Sequence, residues 1–341
     1  MSRFFSDGVR RNLPAALPAL RVGLVLAVIA LGFAPLMLGG NDLKLLTEFY
    51  CLLVLALMWN LLAGYADIIT VGQHAFVGVG AYAFFGFAVL AGVPIFAAIP
   101  LAGLVALLVA VPAMLIVFRL RAAYLAVGTW VVAEVLMLLA GKLPAFGAGS
   151  GISLPVSVVK TLGAQASARF ATIYWLAFGL AVLALVATIL LLRSRLGLGL
   201  IAMRDNEEGA GAIGVNLTRI RILSFLWTAP FLGCAGALIT LQKLRVAPTA
   251  AFSFVDWTVF IIFIVVIGGI GSIEGPILGT ILFFVLREYL AGLGTWYPIL
   301  LGALSVAVIL VEPKGLWGLL RRLLPSDVVP LAHAPPQQDG R

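Results

Sequence analysis

Charge is what this sequence has least of: Asp, Glu, Lys and Arg together make up 11% of its 341 residues. A soluble domain carries roughly 25% charged residues, so the chain cannot cover itself with a water-facing surface. Cysteine is nearly absent. Cys51 and Cys234 are the only two, both inside apolar stretches and far from any C-x-x-C spacing, and they read as small apolar core residues. Histidine is limited to His74 and His333, with no carboxylate cluster beside them. Metal-ion and general-base chemistry therefore have little to build on. A phosphate-binding G-x-x-x-x-G-K-[ST] loop is missing too. Of the five lysines only Lys160 precedes Ser or Thr, and no glycine precedes it. The chain is not its own ATPase.

What the sequence does have is apolar length. Hydrophobic residues make up 63% and the mean hydropathy is +1.16. About ten stretches approach the roughly 17–25 residues that a bilayer requires. They lie near 20–38, 43–62, 68–90, 94–118, 122–140, 172–192, 221–241, 254–271, 274–292 and 296–312. The 254–292 region reads either as two spans or as one re-entrant hairpin. Spanning strands would alternate apolar and polar residues, whereas Ala181-Val-Leu-Ala-Leu-Val-Ala-Thr-Ile-Leu-Leu-Leu192 is apolar all round. Backbone groups in lipid must then be satisfied within helices. The expected fold is all-α: a polytopic transmembrane bundle of about 8–10 spans, with room for broken or re-entrant helices.

The net charge of +8 is a topology signal, and a nucleic-acid partner is rejected. With the N-terminus inside, about fifteen of the 22 Lys and Arg fall on inner loops and about seven outside. Both termini are thus expected in the cytoplasm. Residues 1–19 read as a cytoplasmic segment leading into an uncleaved signal-anchor helix, 20–320 as the membrane domain, and 321–341 as a disordered tail. The outer loop Gly141–Phe170 is rich in Gly and Ser. It is expected to lack secondary structure, either as a plain solvated connection or as a surface that touches a delivery protein. Trp175, Trp257 and Trp296 towards the outer face, with Trp227 and Trp317 towards the inner, read as the aromatic belts of a membrane protein.

Two stretches depart from plain Leu/Val/Ala spans: Gly64–Gly86 and Ile267–Gly279. Their glycines permit either close helix packing, with Gly271, Gly275 and Gly279 or Gly78, Tyr82 and Gly86 on one face, or interrupted helices lining a pathway. From the second reading come Gly268, Gly269 and Gly271 as candidate pathway residues. Thr70, Gln73 and His74 are polar groups within a span and join them. A charge at the bilayer centre costs about 2.5–3.5 kcal/mol on insertion scales, which singles out Glu134, the deepest acid. It should face a cavity or bond a neighbouring helix. Asp67 and Glu274 fall near the inner interface, and Glu48, Asp256, Arg287 and Glu288 towards span ends, where long side chains snorkel.

Between these spans lies one long polar segment, 193–221, with five arginines, one Asp and two adjacent Glu. Asp205-Asn-Glu-Glu208 fits a helix start in which Asp205 caps and Glu208 reaches back. Acids at 205, 207 and 208 suit the positive end of the helix dipole. Glu207 through Ile213 makes about two turns, with Ala210 and Ile213 on one side, and Gly214 is a left-handed stop. On these residues alone the segment is either a docking helix for a soluble partner or an ordinary helical loop.

Here a resemblance enters. Ala202-Met-Arg-Asp-Asn-Glu-Glu-Gly-Ala-Gly-Ala-Ile-Gly214 is similar to the cytoplasmic loop of the permease subunits of branched-chain amino-acid ABC importers, the hydrophobic amino-acid uptake family. Gly64–Tyr82, Ile267–Gly279 and Val311-Glu-Pro-Lys-Gly-Leu-Trp-Gly318 resemble that family's early, late and C-terminal motifs, in the same order. Together they run from about residue 43 to 320. Two departures stand out: Asp67, where many members have Gly, and Gly209, which interrupts an Ala-rich helix. The resemblance implies a non-enzymatic transport subunit in a bacterial inner membrane that binds no cofactor itself. ATP and Mg would be used by separate ATPase subunits, which receive Arg204, Asp205, Asn206, Glu207, Glu208, Ala210, Ile213 and Gly214. It also implies a second, related permease in a pseudo-symmetric pair and a periplasmic binding protein that delivers the substrate. Relatives that carry urea or short-chain amides stay open. From other classes, a self-sufficient secondary transporter would string several acids through the bundle, and an intramembrane lipid enzyme would need paired acids or a His/Asp/Ser set.

Overall fold

The computed structural model describes residues 30–120, 123–163, 165–290, 292, 294, 296–312 and 314–323. The expected N-terminal segment, most of the first span and nearly all of the tail lie outside the described residues. The rest is helical, with a single two-residue strand pair.

In chain order the main helices are α1 (Gly40–Asn60), α2 (His74–Phe85), α3 (Ile95–Val117), α4 (Ala123–Gly141) and α5 (Ala166–Arg193). Next come α6 (Arg195–Asp205), α7 (Glu207–Ala212), α8 (Leu217–Lys243), α9 (Phe260–Gly268), α10 (Glu274–Leu290), α11 (Trp296–Val311) and α12 (Gly315–Leu323). Among the described residues six helical stretches are long and apolar enough to cross a membrane: Gly40–Tyr65, Ile95–Val117, Ala123–Gly141, Ala166–Arg193, Leu217–Lys243 and Pro248–Gly268. Two shorter apolar helices, His74–Leu90 and Ile299–Val308, accompany them. This is a polytopic helical membrane bundle.

The core lies around α1 and α8. In Gly40–Tyr65, 78% of the apolar window is buried, and in Leu217–Lys243, 61%. α8 packs against α1, α2 and α3, while α1 also meets α5, α9 and α10. Small residues allow these approaches: at Gly80 of α2 a methyl group would run into the backbone of Gly233 on α8, the contact that small residues make possible between membrane helices. α4 is the opposite case. Only 17% of its window is buried, so this helix sits at the periphery, packed on one side against α2 and α3.

Three expectations are corrected. The span expected at 68–90 is interrupted. A π-helical turn, Leu61–Tyr65, closes α1, the chain reverses at Asp67 in a left-handed conformation (φ 50°), and non-helical backbone runs back to His74, where α2 begins. Asp is among the few side chains that tolerate this φ, which accounts for Asp67 at this turn. Hydropathy does not register the break because Ile68, Ile69 and Val71 are as apolar as a helix would be. The outer loop is also ordered. Ile152–Ser153 pairs antiparallel with Arg245–Val246, Arg245 donates to Ser150 O at 2.7 Å, and a one-turn helix covers Val156–Lys160. Finally, Trp257 and Trp317 are buried rather than belt residues. Trp257 Nε1 donates to Ala250 O at 3.0 Å, a partner that an apolar interior must supply to an indole.

Gly271, Gly275 and Gly279 do not share a helix face, because Gly271 precedes α10 with a left-handed backbone (φ 74°). Gly268 takes its place: Gly268, Gly275 and Gly279 bring α9 and α10 into backbone contact. At the other end of the bundle Glu48 and Arg287 do not merely snorkel; Arg287 Nη1 meets Glu48 Oε1 at 2.7 Å.

Candidate functional site

The 193–221 segment is built by three caps. Ser194 ends α5, and its hydroxyl accepts from Gly197 N at 3.4 Å to start α6. Asn206 separates α6 from α7, and Asn216 Oδ1 accepts from Arg219 N at 2.9 Å to start α8. The expected cap at Asp205 is displaced by one residue. Asp205 is the last residue of α6 and its carboxylate turns to Arg204 at 3.3 Å. Asn206 has the extended backbone of a cap and accepts from Gly209 N at 2.9 Å, a contribution of about 1 kcal/mol. A Cβ at residue 209 would lie 3.1 Å from the Asn206 side chain, so Gly209 gives this cap its room.

α7 ends at Ala212, and Gly214 follows with φ 88° as its left-handed stop. Because the helix closes before residue 213, Ala210 and Ile213 do not share a face as expected. Ala210 is buried towards the bundle, whereas Ile213 is 79% exposed. Arg221 Nη2 donates to Glu207 Oε2 at 2.8 Å and ties α7 to α8. Arg204, Asp205, Asn206, Glu208 and Gly214 are exposed beside Ile213. A cleft of about 890 Å³ separates α7 and the start of α8 from the α3–α4 turn and Asp67–Ile69.

α6 reaches the bundle at a second place. Arg204 stacks over the Tyr65 ring at 5.6 Å, and its Nη1 lies 3.5 Å from Gly271 O. Those two residues belong to the two interrupted segments, and Asn60 joins the segments. Its Nδ2 donates to Ser272 O at 2.7 Å, while its Oδ1 accepts from Gly271 N at 2.8 Å. The amide thus pairs with a backbone turn as another strand would. Gly64 must lack a side chain here, since a Cβ would meet Gly271 N at 2.5 Å. Gly269 (φ 125°) is covered by Lys314 and Trp317 at the entry to α12. Gly268, Gly269 and Gly271 therefore sit in a packed junction beside α6 of the 193–221 segment. Sequence reasoning missed Asn60; the available signal was an amide in the apolar run Leu52–Leu62, four residues before a glycine.

Thr70, Gln73 and His74 form a separate group, where the non-helical backbone re-enters the bundle. Trp59 Nε1 donates to Thr70 O at 2.8 Å and Val71 N donates to Thr129 Oγ1 at 3.1 Å. His74 Nδ1 lies 3.0 Å from Thr258 Oγ1. All three side chains are buried, yet Thr70 Oγ1, both polar atoms of Gln73 and His74 Nε2 have no partner. Tyr82 OH, one face further along α2, is in the same position. Unpaired buried groups cost about 1–3 kcal/mol each. The space beside Thr70 and Gln73, walled also by Thr129 and Thr228, measures about 10 Å³, close to the volume of a single water probe. The polar side chains sit in a mainly apolar lining, and the space is too small to admit a substrate. Non-helical backbone at membrane depth is tolerated only where protein buries it or it lines a cavity; here Thr70, Gly72 and Gln73 are buried, while Asp67 and Ile69 face the cleft below α7.

Glu134 is distant from the glycine junction. It stands on α4, about 17 Å along the helix from Ala123 at 1.5 Å per residue, and Trp130 Nε1 donates to its Oε1 at 3.0 Å. Glu134 is expected to face a cavity or bond a neighbouring helix; the hydrogen bond it makes among the described residues lies within its own helix. Among the described residues no group of three or more His, Cys, Asp or Glu is placed to hold a metal ion.

Comparison with known proteins agrees with this architecture. The pattern of the branched-chain amino acid transport system/permease component family matches residues 41–311. The chain is 31% identical over 322 residues to the high-affinity branched-chain amino acid transport system permease protein LivM of Salmonella typhimurium, covering 87% of this chain and 75% of that one. It is 30% identical to the LivM protein of Escherichia coli over 305 residues, covering 83% and 71%. A probable LivM of Methanocaldococcus jannaschii is 27% identical over 213 residues, 58% of this chain and 61% of its own. No solved structure matches. With most of its bundle inside the matched region, the chain belongs to the family of branched-chain amino acid transport permease components.

Proposed function

We propose that this chain is the permease subunit of an ATP-driven uptake system for branched-chain or other aliphatic amino acids. The observation that carries the reading is the exposed α6–α7 segment, an ordered element with an uncovered Ile213 on a chain that has no phosphate loop of its own. Separate ATPase subunits, holding ATP and Mg, bind this segment from the cytoplasm. Their closure moves α6 and α7, and Arg204 carries the movement to the Tyr65 and Gly271 segments. The excess of Lys and Arg on the same end supports a cytoplasmic placement in a bacterial inner membrane. α12, with Leu319, Leu320 and Arg321 exposed beside a buried Trp317, fits a helix lying in the membrane interface.

A binding protein on the other side delivers the substrate, and a second, related permease completes the pathway. Thr70, Gln73 and His74 provide hydrogen-bonding capacity for a zwitterionic head when the closed site opens. The substrate is tested on the binding protein encoded beside this permease. Leucine, isoleucine or valine at a hundred times its Kd should stabilise it by about 2.7 kcal/mol, read as a rise in Tm. Stabilisation by urea or short-chain amides alone would assign the system to that neighbouring substrate class.

A further inference from the structure

Trp130, Glu134 and Phe254 form one group on the outward flank of α4. The Trp130 ring lies 5.5 Å from that of Phe254, tilted by 31°. Phe254 in turn packs edge-on against His74 at 5.6 Å. His74 Nε2 is buried without a partner.

The helical period places Trp130 and Glu134, at i and i+4, beside the buried line Thr129–Ala133–Ala140 and the exposed line Val127–Val131–Leu138. Trp130 is 43% exposed and Glu134 half-buried. Among the described residues Trp130 is the one hydrogen-bond partner of Glu134. A carboxylate near the bilayer centre with one neutral donor is poorly compensated, because lipid offers it nothing. Its second carboxylate oxygen is left for a partner from outside these residues.

We propose that Glu134, with the Trp130 and Phe254 rings, is the subsite for the ammonium group of the transported amino acid. This rests on the transport reading above. A carboxylate beside aromatic rings is the chemistry that holds a primary ammonium, through a charge-assisted hydrogen bond and cation–π attraction. The outward face of α4 is then a wall of the pathway, and the apolar residues along it accommodate an aliphatic side chain. Urea and neutral amides lack the cation, so the same group selects against them.

The test uses the complete transporter in liposomes with its binding protein and leucine as the probe. E134Q keeps an oxygen to accept from Trp130 Nε1 and removes only the charge. Leucine uptake should fall about tenfold or more, as expected for a lost hydrogen bond to a charged group, with the complex still assembled. In the unmutated complex, modification of Glu134 by a hydrophobic carbodiimide should slow during leucine transport. Unchanged uptake by E134Q, or equal modification rates with and without leucine, overturns the subsite. Loss of the second permease from the E134Q complex also overturns it, by assigning Glu134 to a basic residue of that partner. Absence of leucine uptake by the unmutated complex would instead overturn the transport reading itself.

Discussion

Replacing Ile213 by Glu together with Glu208 by Arg is expected to abolish both co-purification of the ATPase and ATP-driven uptake, with the permease still inserted in the membrane. The choice of positions follows from the α6–α7 geometry. Ile213 is 79% exposed at the end of a polar segment, an apolar side chain with no folding role that water coverage would justify. Glu208 is exposed in the first turn of α7. Glu207 is the worse target, since it holds Arg221 at 2.8 Å, and its reversal would disturb the α7–α8 connection as well as any docking. A hot-spot residue at an interface costs about 2 kcal/mol or more when lost, or about thirtyfold in Kd. Losing both places the complex beyond recovery in a pull-down. The readouts are ATPase retained on the affinity-purified permease, and uptake in membranes that contain equal amounts of each permease. Normal uptake by the double variant would contradict the docking assignment.

N60A is expected to separate ATP hydrolysis from transport. Asn60 is buried and satisfies both Gly271 N and Ser272 O; without it these partly buried backbone groups lose partners worth about 1–3 kcal/mol each. The turn they belong to is also where Arg204 of α6 meets the bundle. The variant should therefore unfold at a lower temperature in detergent and transport fewer molecules per ATP, at least severalfold fewer, while the ATPase still binds. N60D sharpens the test. An aspartate can accept from Gly271 N but cannot donate to Ser272 O, and it would press a carboxylate oxygen against a carbonyl. It should be as damaging as alanine or more so. An unchanged ratio of uptake to hydrolysis in both variants would show that the Asn60 junction is passive.

Much of this was legible because apolar length and polar interruption are strong signals. The bundle and the position of 193–221 follow from hydropathy and charge alone. Cap placement was less legible, because Asp205 and Asn206 are both good N-caps and only the extent of α6 decides between them. α6 itself is built on Leu-Gly-Leu-Gly-Leu, a run whose glycines argue against helix; packing of Leu200 and Met203 against the bundle overrides that preference. The break before α2 was invisible for a related reason, since its chain is apolar whether helical or extended. Asn60 was passed over because a single amide near the end of a span is ordinary until its partners, 211 and 212 residues away, are known.

The central claim is that this conduit moves substrate only when an ATPase grips its α6–α7 segment. Leucine uptake measured side by side in liposomes holding the permeases alone and in liposomes holding permeases plus ATPase, each with binding protein outside and ATP inside, tests it most directly. Concentrative uptake should appear only with the ATPase present and disappear when ATP is withheld. Concentrative uptake by the permeases alone, driven by an ion gradient, would contradict the account.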